Sequence, residues 1–181
     1  MSQPKLILLN GFAGNGKSTI GKLYADKHPL SLNIEGDVLI SMIGKWKKYY
    51  KKARKTIFPL TKSIAKTYLE LGYDVIIPYL LKDPQEAEGF EKLAQKASAR
   101  FYEIQLYMNK NDAINTLLKR GAWGEEGATP FTNKDKSHIS ELYDSMEKAT
   151  ALRPNTIKIS VKYGDIKDTY DQLLNILNSP Q

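Results

Sequence analysis

One short segment constrains this chain more than any other: residues 11–18, with the sequence GFAGNGKS. It fits the pattern G-x-x-x-x-G-K-[ST] of loops that bind phosphate groups. The wholly apolar run 6–9 precedes it and predicts a buried parallel strand. Residues 17–27 follow it, with Ile20, Leu23 and Tyr24 at helical spacing. A glycine-rich turn between a buried strand and a helix predicts an α/β fold with a phosphate site.

The chemistry of such a turn explains why its residues recur together. Glycines let backbone N–H groups wrap an anion, and the helix N-terminus adds partial positive charge. Lys17 would reach the β and γ phosphates of a nucleoside triphosphate, and the hydroxyl of Ser18 would bind Mg²⁺. The alternative is a turn that only packs a helix on a strand. The nucleotide contacts predicted from the motif are Gly11, Ala13, Gly14, Asn15, Gly16, Lys17, Ser18 and Thr19.

Composition excludes several other classes of protein. A chain of 181 residues with 41% hydrophobic and 26% charged residues predicts one globular domain, residues 1–181. No apolar run is long enough to span a bilayer, and the first strand follows almost directly on Met1, so we expect a cytoplasmic protein without a membrane partner. With no cysteine and two histidines, Mg²⁺ shared with phosphate is the metal we expect.

The positive charge is concentrated in one segment. The chain has 27 Lys and Arg against 20 Asp and Glu, a net charge of +7. Residues 45–55 hold seven basic residues and no acidic one, so the rest of the chain is balanced. The excess charge is therefore one local patch.

Strand and helix signals alternate along the chain, which predicts a parallel sheet with crossover helices. Pro59 predicts a helix break or an early turn of the next helix, and the glycine-rich stretch 121–136 predicts a mobile lid. The predicted strands are 6–9, 32–35, 74–79, 101–107 and 156–160. The predicted helices are 17–27, 38–55, 60–71, 84–97, 112–120, 137–151 and 166–177.

This organisation resembles the P-loop small-molecule kinases, a group that includes adenylate, shikimate and gluconate kinases, chloramphenicol phosphotransferase and the zeta-toxin kinases. The resemblance covers almost the whole chain in organisation but is specific in letters only at residues 11–19. It implies a three-layer P-loop NTPase sandwich with a five-stranded parallel sheet of order 2-3-1-4-5, helices on both faces and a short lid. It also implies ATP and Mg²⁺ as cofactors and transfer of the γ-phosphoryl group to a small acceptor bound near residues 37–60.

Two further residues gain candidate roles from the resemblance. Asp37 stands just after the second predicted strand, where an acid of the family orients or deprotonates the acceptor hydroxyl; the alternative is that it only caps the next helix. Arg120 ends the helix that enters the lid, where the family places phosphate-binding arginines, and would also contact the nucleotide. Its alternative role is to interact with the helix dipole. Arg153 is a weaker candidate, and the loop 161–165 is where the family would place adenine.

The sequence departs from the family pattern in two places. The third strand ends in Pro78 and Tyr79 where many relatives have an acid that supports Mg²⁺, so metal ligands beyond Ser18 stay open. Thr116 occupies the position four before Arg120, where relatives often have a second arginine. One phosphate contact of the family is therefore missing from the sequence.

The basic segment leaves three functions open. Its cations favour an acceptor that already carries phosphate or carboxylate, although a solvated helix face is equally consistent with them. Trp46 and Tyr50 share a helical spacing with Met42 and Ala53, which favours packing over stacking on a base. The leading hypothesis is a small-molecule kinase. A nucleotide or polynucleotide kinase and a nucleotide-dependent switch with little transferase activity are the alternatives.

Overall fold

A five-stranded parallel sheet forms the centre of the computed structural model, which describes residues 3–123, 128–132 and 134–179. The strand order is β2-β3-β1-β4-β5, and each neighbouring pair is parallel. This confirms the predicted fold class and strand order. The strands are β1 (Lys5–Gly11), β2 (Leu32–Asn33), β3 (Val75–Tyr79), β4 (Arg100–Tyr107) and β5 (Ile157–Ser160).

Seven helices in the described residues cover the two faces of the sheet. They are α1 (Lys17–Lys27), α2 (Gly36–Ser41), α3 (Tyr50–Glu70), α4 (Pro84–Lys96), α5 (Lys110–Arg120), α6 (Asp135–Ala151) and α7 (Ile166–Asn178). Alternate residues of β1 point to opposite faces, so Ile7 and Leu9 join one buried cluster and Leu6 and Leu8 another. Both faces of β1 are buried, which is why its sequence is a continuous apolar run. None of the helices described combines the length and the apolar character needed to cross a membrane.

The predicted helix 38–55 is wrong. The helix α2 ends at Ser41, and turns occupy residues 42–49 before α3 begins at Tyr50. Lys45 has a φ of 56°, which a right-handed helix cannot contain. The apolar spacing that predicted one helix is therefore divided between α2, a turn and α3.

The predicted helix break at Pro59 is also wrong, because α3 continues through it. The buried positions of α3 recur every four residues on both sides of Pro59, and they hold the two halves against the body of the protein. Pro59 and Lys55 lie on the exposed side of α3, so water can satisfy the carbonyl group that the proline leaves without a helical partner. These buried positions are Ala53, Ile57, Thr61, Ala65 and Leu69.

Gly21 on α1 lets that helix approach the sheet. A Cβ atom on Gly21 would lie 2.7 Å from both Asn33 Oδ1 and Pro78 Cγ, two atoms of residues within strands. We expect Gly21→Ala to lower the free energy of unfolding by about 1–3 kcal/mol in urea denaturation, because neither strand can retreat without cost. Gly44→Ala is the matched control, since a Cβ atom there meets nothing within 4 Å. An equal loss in the two variants would contradict this account.

Candidate active site

The loop between β1 and α1 has the backbone shape that its glycines predict. Gly14 and Gly16 adopt φ values of 88° and 86°, in the left-handed region that favours glycine. Gly11 has a φ of 152°, and a Cβ atom there would lie 2.8 Å from the carbonyl oxygen of Leu106. A loop of this shape turns successive N–H groups toward an anion.

Two buried asparagines fix the loop to its surroundings. Asn15 donates through Nδ2 to the carbonyl oxygen of Leu106 on β4 over 2.9 Å. Asn10 Oδ1 accepts hydrogen bonds from the N–H groups of Gly11 and Leu81, at 2.7 and 2.9 Å, and its Nδ2 donates to Thr150 Oγ1 over 3.0 Å. The start of the loop is thereby held to the segment that follows β3.

The N-terminus of α1 presents its backbone donors and Lys17 together. Gly16 is the N-cap and supplies no side-chain acceptor, so the N–H groups of the first turn are suited to a phosphate. Lys17 Nζ donates to the carbonyl oxygen of Phe12 over 2.8 Å, which folds this side chain back across the loop. Burial lowers the pKa of Lys17 to about 8; the carboxylate of Asp37 opposes this shift, and Arg120 adds to it.

Asp37 lies in the first turn of α2, and its charge acts on Lys17. The N-cap of α2 is Glu35, so the alternative in which Asp37 caps a helix beginning at residue 38 is wrong. Asp37 Oδ1 lies 3.4 Å from the guanidinium of Arg54 on α3. The carboxylate thus stands between a lysine of the phosphate loop and an arginine of the basic segment.

Arg120 is the last residue of α5, which packs beside the phosphate loop. Gly121 follows with a φ of 88° and caps the helix. A Cβ atom on Gly14 would meet Thr116 Cγ2 at 3.4 Å, so the side chain four residues before Arg120 lies directly against the loop. Thr116 is nearly buried there. The three predicted catalytic residues, Lys17, Asp37 and Arg120, are brought into one electrostatic environment.

Sequence reasoning did not assign three polar residues to this end of the sheet: Tyr79, Glu86 and Arg54. Tyr79, the last residue of β3, is hydrogen-bonded to Glu86 on α4. Burial, followed by the effect of Glu86, raises the pKa of Tyr79 above its usual range, and burial raises the pKa of Glu86 as well. Arg54 opposes both shifts, which places its charge near this pair as well as near Asp37. Their spacing along the chain gave no signal, because three different elements supply them.

The donors around Ser18 fit Mg²⁺. A groove of about 390 Å³ beside α1 is lined by Ser18, Thr19 and Glu35 at the end next to the loop and by Lys22, Leu23 and Asp26 farther along the helix. Hydroxyl and carboxylate oxygens are the hard donors that Mg²⁺ takes. Among the residues described there is no group of three or more histidine and acidic side chains placed to hold a metal ion by themselves. The donor set therefore suits a metal that is shared with phosphate oxygens.

Arg153, the weaker of the predicted phosphate candidates, forms ion pairs within the protein. Its guanidinium donates to Glu103 Oε2 through Nε over 2.9 Å and to Glu91 Oε2 over 2.7 Å. Thr156 Oγ1 donates to the other carboxylate oxygen of Glu103 over 2.9 Å. The guanidinium thus forms ion pairs with two carboxylates, one on β4 and one on α4.

The parts of the predicted lid that the structure describes contact each other through a hydrogen bond and a pair of aromatic rings. The N–H group of Phe131 donates to the carbonyl oxygen of Gly121 over 2.8 Å, and the rings of Trp123 and Phe131 meet edge to face at 5.1 Å. Residues 124–127 and 133 of the predicted lid lie outside the described residues. The lid function of the stretch 121–136 stays a prediction.

The loop predicted for adenine lies beside the phosphate loop. Ile166, the first residue of α7, is the nearest side chain to Gly16, with its Cδ1 atom 3.6 Å from an ideal Cβ position. Residues 161–165 immediately precede it, and Tyr163 among them is 78% exposed. The adenine position within residues 161–165 stays a prediction.

Solved structures show the same fold. A kinase candidate from Chloroflexus aurantiacus matches with a TM-score of 0.72 and 14% identity, over 99% of this chain and 100% of that one. The APS kinase CysC of Mycobacterium tuberculosis matches with a TM-score of 0.56 and 13% identity, over 99% and 100%. A chain of the Pnkp1/Rnl/Hen1 RNA repair complex matches with a TM-score of 0.64 and 16% identity, over 84% of this chain and 47% of that one. At such identities the likeness establishes the fold alone.

The sequence itself matches one family model over nearly its full length. No curated protein matches the chain. The family model described as zeta toxin matches residues 1–172, which include the phosphate loop, Asp37, Arg120 and every strand of the sheet. The chain therefore belongs to the zeta toxin family and has the fold of the P-loop small-molecule kinases.

Proposed function

We propose that this protein is an ATP-dependent phosphotransferase that moves the γ-phosphoryl group of ATP to a hydroxyl group of a small-molecule acceptor. One observation supports the proposal: Asp37 of α2 and Arg120 of α5 both act through their charges on Lys17 at the phosphate loop, and Asp37 also lies 3.4 Å from Arg54. A loop that merely packed a helix on a strand would not need an acid and a second cation at the same place. The kinase-like fold of the family agrees with this chemistry.

Each residue has a distinct role in the proposed transfer. The N–H groups of the loop and Lys17 bind the β and γ phosphates, while Ser18 contributes to a Mg²⁺ ion shared with them. Mg²⁺ supplies charge neutralisation of the phosphates when it is bound. Arg120 stabilises negative charge that spreads over the transferring group. Asp37 orients the acceptor hydroxyl and accepts its proton as the hydroxyl oxygen bonds to the γ-phosphorus, while the bond from that phosphorus to the bridging oxygen breaks and ADP leaves.

The Arg54 guanidinium fits the role proposed for Asp37. A guanidinium beside a carboxylate helps to orient it, as a group that binds a hydroxyl requires. Arg54 at 3.4 Å provides this from α3, while Lys17 provides a second positive charge from the loop. Asp37 is 46% exposed at its side chain, so an acceptor can reach it.

Asp37→Asn tests the proposal most directly. Transfer of labelled γ-phosphate from ATP would be followed across sugars, nucleosides, nucleotides, hydroxylated antibiotics and 5′-hydroxyl oligonucleotides. We expect one acceptor class to gain label, and we expect Asp37→Asn to lower kcat for it about 10²- to 10⁴-fold with little change in ATP affinity. Asp171→Asn removes an exposed carboxylate on α7 and should leave the rate unchanged.

Two results would overturn the assignment. An Asp37→Asn variant as active as the wild type would remove Asp37 from the mechanism. If label moved only to water, at the same rate in the wild type and the variant, the protein would be assigned as a nucleotide-dependent switch and not as a kinase.

A further inference from the structure

A basic surface adjoins the candidate active site, and the proposed transfer uses only its arginine, Arg54. We define it as Arg54 and the six lysines of the segment 45–55. All six lysines are exposed, and within the described residues none of them forms an ion pair with a carboxylate. These lysines are Lys45, Lys47, Lys48, Lys51, Lys52 and Lys55. Six unneutralised cations within eleven residues repel one another, a cost that an anionic partner would remove.

Aromatic rings are interleaved with these cations, and two of them are exposed. The predicted packing is confirmed for Ala53, which is buried, and for Trp46, which packs partly against the small cluster around Ile40. It is wrong for Tyr50 and Met42, which are 43% and 76% exposed, and Tyr49 is also 48% exposed. The Nζ atom of Lys48 lies 5.5 Å from the centre of the Tyr49 ring. The surface therefore offers ring faces beside positive charge.

The basic surface is continuous with the acceptor side of the active site. Arg54 lies 3.4 Å from Asp37 and belongs to both. Lys51 is three residues before Arg54 and four before Lys55 on α3, so the three side chains follow one edge of the helix. A ligand bound along this edge would extend from the turn 42–49 to Asp37.

We propose that the basic surface binds single-stranded nucleic acid. Single-stranded nucleic acid fits both the lysines and the aromatic rings of this surface, because its phosphates pair with lysines and its unpaired bases stack on exposed rings. A duplex would satisfy the lysines alone, since its bases are stacked inside the helix. A lipid surface would need an apolar face free to enter the bilayer. The apolar face of α3 is buried against the protein body, which argues against that partner.

Binding is measured without ATP, so that it is independent of the proposed kinase reaction and of its failure. The probe is a 3′-labelled single-stranded oligonucleotide of mixed sequence, followed by fluorescence anisotropy at several salt concentrations. We expect binding that weakens steeply with salt. We expect Lys51→Gln with Lys55→Gln to weaken it on the order of tenfold or more and to reduce the dependence on salt concentration.

Lys96→Gln with Lys148→Gln is the matched control, because it removes the same charge from exposed lysines in the last turns of α4 and α6. This control should bind as the wild type does. Tyr49→Ala should weaken binding about tenfold and Tyr49→Phe should restore it, since stacking needs the ring and not the hydroxyl. A common helical circular dichroism spectrum for the variants would show that they are folded.

Three outcomes would overturn the inference. The first is no anisotropy change at low salt. The second is an equal loss in the lysine pair and its control, which would mean that only net charge matters. The third is binding to vesicles of anionic phospholipid without binding to the oligonucleotide, which would assign the surface to a membrane.

Discussion

Lys17→Ala is expected to lower the rate of γ-phosphoryl transfer by about a thousandfold or more, an effect of the size that preorganised charges at phosphoryl groups produce. The physical reason is that Lys17 is the one cation of the loop itself, held against the carbonyl oxygen of Phe12 at 2.8 Å. Its removal leaves Arg120 and the metal to neutralise the transferring group from outside the loop. Initial rates with the acceptor identified in the panel would measure the effect, with ATP hydrolysis to water as a second readout.

Lys66→Ala provides the control for this change. Lys66 is an exposed lysine of α3 whose partner, Glu70, lies one helical turn away at 3.7 Å. A pair of this kind contributes little to stability, and it is remote from the loop. Its rate should equal that of the wild type. If the transfer rate of Lys17→Ala were within tenfold of the wild-type rate, the phosphate loop would have no part in the reaction.

Arg153→Met is expected to lower the free energy of unfolding by about 3–5 kcal/mol, because it leaves a buried carboxylate without its cation. Glu103 is the group affected, with a side chain only 5% exposed and its Oε2 atom 2.9 Å from Arg153 Nε. Thr156 would continue to donate to this carboxylate, but a hydroxyl does not neutralise it. Urea denaturation of the nucleotide-free protein measures the change.

Two comparisons separate this effect from a general cost of losing charge. Lys110→Met breaks an ion pair with Asp144 that is 2.7 Å long but half exposed, so it should cost less than about 1 kcal/mol. Replacing both Arg153 with Met and Glu103 with Leu should recover much of the stability, since no unpaired buried charge remains. A loss below about 1 kcal/mol in Arg153→Met alone would show that water or other groups compensate Glu103.

Local patterns in the sequence were enough to predict the sheet and the phosphate loop. The apolar run 6–9 predicted a strand buried on both faces, and Leu6, Ile7, Leu8 and Leu9 are fully buried. The glycines predicted a turn with left-handed backbone, which Gly14 and Gly16 adopt. These signals succeed because burial of a strand and the φ values of a turn depend on residues that are neighbours in the chain.

The same patterns failed between residues 38 and 60. Apolar spacing continued through a turn that contains Lys45 at a φ of 56°, and so it predicted one helix where there are two. Pro59 predicted a break that the packing of α3 on both sides overrides. Periodicity records which residues are apolar but not whether the backbone between them stays helical.

The sequence by itself determined that this chain forms a parallel α/β sheet with a phosphate loop at the end of β1, because strand, turn and helix follow one another within 23 residues. Only the tertiary structure decided which charges meet there. Asp37 pairs with Arg54, from another helix, and Arg153 pairs with Glu103. Such pairs join side chains 17 and 50 residues apart, and their distance is set by how helices pack on the sheet, which no local pattern records.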